Sequence, residues 1–275
     1  MTSHYKPTIV GMRRMLYAAS GLVLLVGIQL FVLTEQTDRY FAWTITSPLT
    51  AAFLGGAYWS ACALELLAAR RAVWAEARIA VPAVLIFTTL TLLTTLLHLD
   101  KFHLSSQSPL TLTATWVWIL VYAVVPPILA WLWWEQSREP GIDPPQRQPL
   151  SPGVLALVAI QAAILLALGI VLFVIPSVGA ELWPWKLTPL AGRAIGAWLL
   201  GLGVAAAQVL RENDVVRVRP VQVSVVLFVA LQLIALARYP GGVSWDDPRT
   251  IGYLAILGLF LSVGAISGLG QRSGA

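Results

Sequence analysis

The chain has 275 residues, 58% hydrophobic and 11% charged, where a soluble domain carries roughly a quarter charged residues; so much apolar surface excludes a water-soluble globule. The net charge of +5 is spread singly or in pairs between apolar runs, which fits membrane anchoring and excludes the clustered basic face of a nucleic-acid-binding protein. The single Cys62 excludes an intramolecular disulfide.

A helix needs about 20 apolar residues to cross a bilayer, and eight runs qualify. In chain order they are Met15 to Leu33, Leu49 to Ala69, Ile79 to Leu97, Thr113 to Trp134, Val154 to Ile175, Leu190 to Leu210, Val221 to Ala237 and Ile251 to Gly268. The first follows a basic segment, Met1 to Arg14. It is longer than the apolar core of a signal peptide and has no small-residue cleavage site behind it, so it reads as a retained helix. The runs lack the alternation of barrel strands. With the N-terminus inside, twelve Lys and Arg residues fall on inner segments, from Lys6 to Arg272, against six outside: Arg39, Lys101, Lys186, Arg193, Arg238 and Arg249. That bias predicts both termini on the cytoplasmic side of an inner, cytoplasmic membrane. Trp43, Trp116, Trp118, Trp183, Trp185 and Trp245 would form the outer aromatic belt.

The two halves repeat. Gly27-Ile28-Gln29-Leu30-Phe31-Val32 recurs as Gly169-Ile170-Val171-Leu172-Phe173-Val174, and Trp43, Thr46 and Pro48-Leu49 recur as Trp185, Thr188 and Pro189-Leu190. With Ser47 as a one-residue insertion, Arg70, Arg78 and Phe87 then match Arg211, Arg219 and Phe228. Four spans per repeat make the repeats parallel. The sequence thus predicts an all-α integral membrane protein: a first four-helix repeat over residues 1–137, a Pro-rich cytoplasmic linker over 138–152 and a second repeat over 153–275, related by a pseudo-twofold axis. Ala51-x-x-x-Gly55 and Gly192-x-x-x-Gly196, at matching positions, predict close helix packing, with the second and sixth helices meeting across that axis or, as the alternative, each packing inside its own bundle.

Candidate chemistry gathers at the outer ends. Trp43, Thr46, Trp185 and Thr188 mark a repeated Trp-x-x-Thr…Pro-Leu element. Its plain reading is a capped helix start, since Pro suits the first turn and Ser or Thr caps it. His98, Asp100 and His103 lie within six residues and are chemically able to hold a divalent ion, although spacing five apart diverges on a helix. The matching loop offers Arg238, Tyr239, Asp246 and Asp247, and Arg193 opens the sixth helix. Within the membrane, Glu65 is placed to reach water or a neighbouring Arg, Thr88, Thr91 and Thr95 share one face, and Pro126-Pro127 should kink the fourth helix.

Eight spans in two four-helix halves resemble the architecture of haem A synthases. Those proteins hold haem by His residues from paired helices, whereas His98 and His103 share one short segment and the second half has no His at all. No nucleotide loop, nucleophile elbow or metalloprotease signature is present. The sequence therefore assigns no catalytic residue, metal or cofactor. It points to a polytopic membrane protein with a binding or transport-like role at the extracytoplasmic face, in contact with the lipid bilayer, a small-molecule or lipid ligand and membrane-protein partners. The alternatives are a membrane enzyme or redox subunit with a metal at the outer loops, or a non-catalytic accessory subunit.

Overall fold

The computed structural model describes residues 4–269, among which there is no strand, only isolated bridges between extended residues. Arg272, counted above with the inner cations, lies outside the described residues. In chain order the long helices are α1 (Val10–Gly27, continued by a π-helical turn, Ile28–Val32), α2 (Pro48–Ala69), α3 (Val81–Leu97), α4 (Pro109–Arg138), α5 (Pro152–Val174), α6 (Pro189–Glu212), α7 (Val215–Arg238) and α8 (Pro248–Leu269). Among the described residues six of these are long and apolar enough to cross a membrane; α3 and α8 have shorter apolar stretches. The protein is therefore an all-α, multi-pass membrane protein in contact with lipid.

The helix starts follow from local chemistry. Ser47, Ser108, Ser151 and Thr188 each precede a Pro in the first turn and accept from the backbone N–H three residues on, at 3.3, 3.4, 3.4 and 3.2 Å. Proline loses nothing there because that N–H has no helical partner, and the hydroxyl satisfies another that would be left free. At the end of α6, Asn213 takes a left-handed conformation, φ 40°, which Asn tolerates better than most residues. Pro126 and Pro127 lie inside α4, which continues as one 30-residue helix past them.

The helices share a single core. The apolar windows of α2 and α6 are 72% buried against 33% for α1, α4 and α5, so α2 and α6 are central and the other three face lipid. α2 packs on α1 of its own half and on α7 of the other; α6 packs on α5 and, across the halves, on α3. Small residues permit this. A Cβ on Gly55 would lie 2.4 Å from the Phe31 backbone N, and one on Gly196 would lie 2.8 Å from the Phe173 backbone N. The glycines therefore serve the α1–α2 and α5–α6 contacts, and the expected meeting of Gly55 with Gly196 across the axis does not form. The π-helical turn of α1 and the matching turn of α5 present backbone at these points, and a glycine brings it closest where it faces its own neighbour.

Loops gather at two ends. At the end holding the N-terminal segment, Lys6 N–H donates to Ile142 O (3.0 Å), Trp74 N–H to Lys6 O (3.0 Å) and Val215 N–H to Gln148 O (2.9 Å). The linker is tied down there: Arg78 bridges Asp143 (2.6 Å) and Glu212 (2.5 Å), and Glu212 also receives Arg217 (3.1 Å) with its side chain wholly buried. Asp214 accepts from Arg147 N–H at 2.5 Å.

Aromatic side chains close the opposite end. Trp43, Trp118, Trp183 and Trp185 are 2–6% exposed, so they are core residues and not the interfacial belt expected of them. Trp43 and Trp118 pack with Phe41 and Phe102, and Trp183 and Trp185 with Phe53 and Tyr253. Trp116 and Trp245 do remain exposed. Large rings fill the bundle end, and two of their N–H groups find partners within the protein, whereas the buried Trp183 Nε1 has none among the described residues. Trp118 donates to Thr95 Oγ1 at 3.1 Å and Trp185 to Thr50 Oγ1 at 2.8 Å.

Candidate functional site

The residues singled out at the loops opposite the N-terminal segment are engaged mainly with their own neighbours. Arg193 Nη1 donates to His98 Nε2 at 2.8 Å, joining the end of α3 to the first turn of α6. Partial burial, and then the adjacent guanidinium, hold the His98 imidazole below its usual range, with Asp100 opposing. Asp100 pairs with Lys101 at 2.8 Å, both exposed. His103 donates from Nδ1 to Phe41 O (3.1 Å) and its Nε2 faces the Thr44 hydroxyl at 3.0 Å.

Arg238 donates to Phe31 O and to the Tyr239 hydroxyl, which in turn meets Thr34. Asp247 is paired with Arg249, whose guanidinium and N–H bonds bring the carboxyl down to about 2. Asp246 and Thr46 are exposed, and Thr188 is the cap of α6. The structure thus joins His98 with Arg193 and Arg238 with Tyr239, while Asp100, His103, Asp246 and Asp247 remain apart from them. Among the described residues no three His, Cys, Asp or Glu side chains converge as a metal site. His98 and His103 both face protein donors and acceptors, an arrangement that does not fit axial haem ligation.

A different site lies deeper. Between α1 and α4 runs a crevice of about 140 Å³, a size that admits a benzene ring. Leu22, Val26, Phe41 and Trp118 line it, with Gln29, Tyr58 and Tyr122 as its polar residues. Leu25, 60% exposed, and Val117, 47% exposed, flank its mouth on the apolar surface of these two helices. The crevice thus opens toward lipid. The two tyrosine hydroxyls meet at 2.7 Å. A pair of hydroxyls carries two protons and one bond uses one of them, and no other partner holds the second among the described residues.

Beyond the tyrosines, sharing Leu22, Val23, Val121 and Tyr122 as walls, is an inner chamber of about 60 Å³. Its hydroxyls are spent on backbone: Ser60 donates to Ala57 O (2.7 Å), Ser224 to Ser60 O (2.7 Å) and Thr88 to Val84 O (2.8 Å). Glu65 is different. It is 3% exposed, its Oε2 has no partner among the described residues, and no ion pair with an Arg is formed there. The chamber that it lines is bordered by α1, α2, α3, α4, α6 and α7. Glu65 follows Tyr58 by seven residues on α2, two turns and about 10 Å along one face.

The Thr face of α3 divides in two. Thr88 and Thr95 return their hydroxyls to α3 carbonyls at 2.8 Å, while Thr91 and Thr94 have partnerless hydroxyls beside a gap of about 10 Å³, room for about one water.

Sequence reasoning weighed Glu65 without its setting and passed over Tyr58 and Tyr122. The seven-residue spacing of Tyr58 and Glu65 was the available signal; the approach of Tyr122 from α4 left none. No protein-family model, curated protein or solved structure matches the chain.

Proposed function

We propose that this protein crosses an inner membrane eight times with both termini cytoplasmic, and binds a lipid-soluble ligand with a ring-sized, acceptor-bearing headgroup in the crevice between α1 and α4. The carrying observation is a crevice of about 140 Å³ between two helices with exposed apolar faces, lined by Tyr58 and Tyr122, whose hydroxyls bond each other. A planar ring with carbonyl or phenol oxygens matches it: apolar and aromatic walls take the ring, and the spare hydroxyl proton and Gln29 serve its oxygens. A hydrocarbon tail leaves past Leu25 and Val117 into the bilayer. The site belongs to the half of the membrane nearer Phe41 and Trp118, the extracytoplasmic half in this orientation. In this reading the paired outer residues Trp43, His98, Arg193 and Arg238 roof the site and fix the helices around it.

Several observations support the topology. Loops collect at two ends, and short helical turns, Trp74–Ala77 before α3 and Leu99–Lys101 after it, extend the shorter helix at both sides. The twofold repeat is supported by the equivalent contacts of Gly55 with Phe31 and of Gly196 with Phe173. The role is binding or carriage of the ligand.

The test is a melting experiment on the purified full chain with three probes that share one alkyl tail: a benzoquinone, a phenol and the bare alkane. The two ring probes are expected to raise Tm and the alkane is not. Equal shifts from all three, or none from any, would remove the proposal.

A further inference from the structure

A second cavity, of about 40 Å³, lies among α5, α6, α7 and α8, bordered by Leu64 of α2 and by Val158, Gln161, Ala206 and Gln222. Two of its polar atoms are unspent. Gln161 is 4% exposed and its Oε1 has no partner among the described residues; the Nε2 of Gln222, less buried, has none either. One is an acceptor and the other a donor, both lining one cavity without bonding each other. A buried donor and a buried acceptor left unpaired at one cavity are both unfavourable, and a guest hydroxyl has the chemistry to answer them, accepting from Gln222 and donating to Gln161.

The position repeats that of the inner chamber with the chemistry redistributed. At the offset that carries Gly27 to Gly169, Ala19 corresponds to Gln161, and at the offset that carries Arg70 to Arg211, Glu65 corresponds to Ala206. Ala19 and Glu65 line the inner chamber; Gln161 and Ala206 line this cavity. The polar group therefore moves from the second helix of one half to the first helix of the other, and from an acid to an amide. An acid suits a cationic or donor group, whereas two amides suit an uncharged group able to donate and accept.

We infer that the second half holds a separate site for the hydroxyl of an uncharged amphiphile, bound between Gln161 and Gln222 with its hydrocarbon in the lipid beside α5 and α8. The hydroxymethyl end of a diacylglycerol has this chemistry, and about 40 Å³ accommodates such a group and no charged headgroup of phosphate size. Water is the other source of a bridging hydroxyl, and the test separates the two.

The purified full chain in nanodiscs is probed with dioctanoylglycerol and with trioctanoylglycerol, which lacks the hydroxyl, and adducts are counted by native mass spectrometry. The hydroxyl-bearing lipid is expected to remain bound to the natural chain and to Glu65→Gln, and to fall about tenfold, the worth of roughly one buried hydrogen bond, in the Gln161→Leu/Gln222→Leu double variant. The triester is expected to give no retained adduct. Should the double variant not fold, Ala206→Leu, which fills the cavity from α6, is read in the same way. Equal retention of the two lipids, or equal adducts in the natural chain and the variants, means that the cavity holds water only and overturns the inference. Because Glu65→Gln and the ring probes address the other half, failure here is distinct from failure of the crevice.

Discussion

The Tyr58 and Tyr122 hydroxyls meet at 2.7 Å between α2 and α4, and each ring is at most 5% exposed. Their bond ties a lipid-facing helix to a central one while leaving one hydroxyl proton for a guest. Tyr122→Phe alone would leave the Tyr58 proton free, so the double variant Tyr58→Phe/Tyr122→Phe is the one that removes both functions at once. It is expected to lower stability by about 1 kcal/mol, the net worth of one hydrogen bond, and to weaken binding of the quinone probe by about tenfold. Denaturant titration reads the first and a probe titration the second; loss of stability with unchanged probe affinity would mean that the spare proton is not offered to the crevice.

Glu65→Leu should cost nothing. A buried carboxyl whose Oε2 has no partner contributes little that a leucine does not, and an apolar replacement of similar size is expected to leave stability unchanged or raise it by up to about 1 kcal/mol. A loss of several kcal/mol in the same unfolding measurement would reveal a partner that this account denies to Glu65.

The close approaches of the paired helices predict a sharp contrast among glycines. Gly55→Ala would set its Cβ 2.4 Å from the Phe31 backbone N, and backbone cannot swing away as a side chain can. A loss of about 1–3 kcal/mol is expected. Gly21→Ala, with nothing within 4 Å of its Cβ, should be silent or slightly stabilising by helix propensity, up to about 1 kcal/mol. Similar behaviour of the two variants would contradict the α1–α2 packing.

The legible part of the fold was what composition and local chemistry dictate. Apolar runs gave the helices to within a few residues, and Ser47-Pro48 and Thr188-Pro189 marked true helix starts, with the caps in place. Gly55 and Gly196 announced close packing but not its partner, because a small residue states how near a neighbour comes and not which one. The tryptophans misled for a related reason: Trp43 and Trp185 carry the same sequence signal whether they anchor at an interface or, as here, fill a bundle end. The site was least legible. Tyr122 reaches Tyr58 from 64 residues away in sequence, and no local pattern encodes that meeting.

His98 gives a pH dependence of known sign. Its lowered pKa means that the unfolded chain takes up a proton before the folded one does, so stability is fully present above the ordinary imidazole range, about 6.5, and declines as pH falls from there toward the lowered value. His98→Asn, which keeps a polar side chain beside Arg193 and carries no titrating group, should flatten the stability profile over that window. Arg193, Asp100 and Lys101 are the charged groups that act on this imidazole; a profile unchanged by His98→Asn would assign the dependence elsewhere.

The central claim is that the crevice between α1 and α4 takes a lipid-soluble ring. Organic extraction of gently purified protein followed by mass spectrometry, on the natural chain and on Val121→Trp, tests it most directly, since Val121 borders both the crevice and the inner chamber and an indole there occupies the space of the ring. The account predicts a ring-bearing lipid in near-stoichiometric amount from the natural chain and its loss from the variant with the fold retained. Bulk phospholipid alone from the natural chain, or the same ring-bearing lipid in equal amount from both, would contradict it.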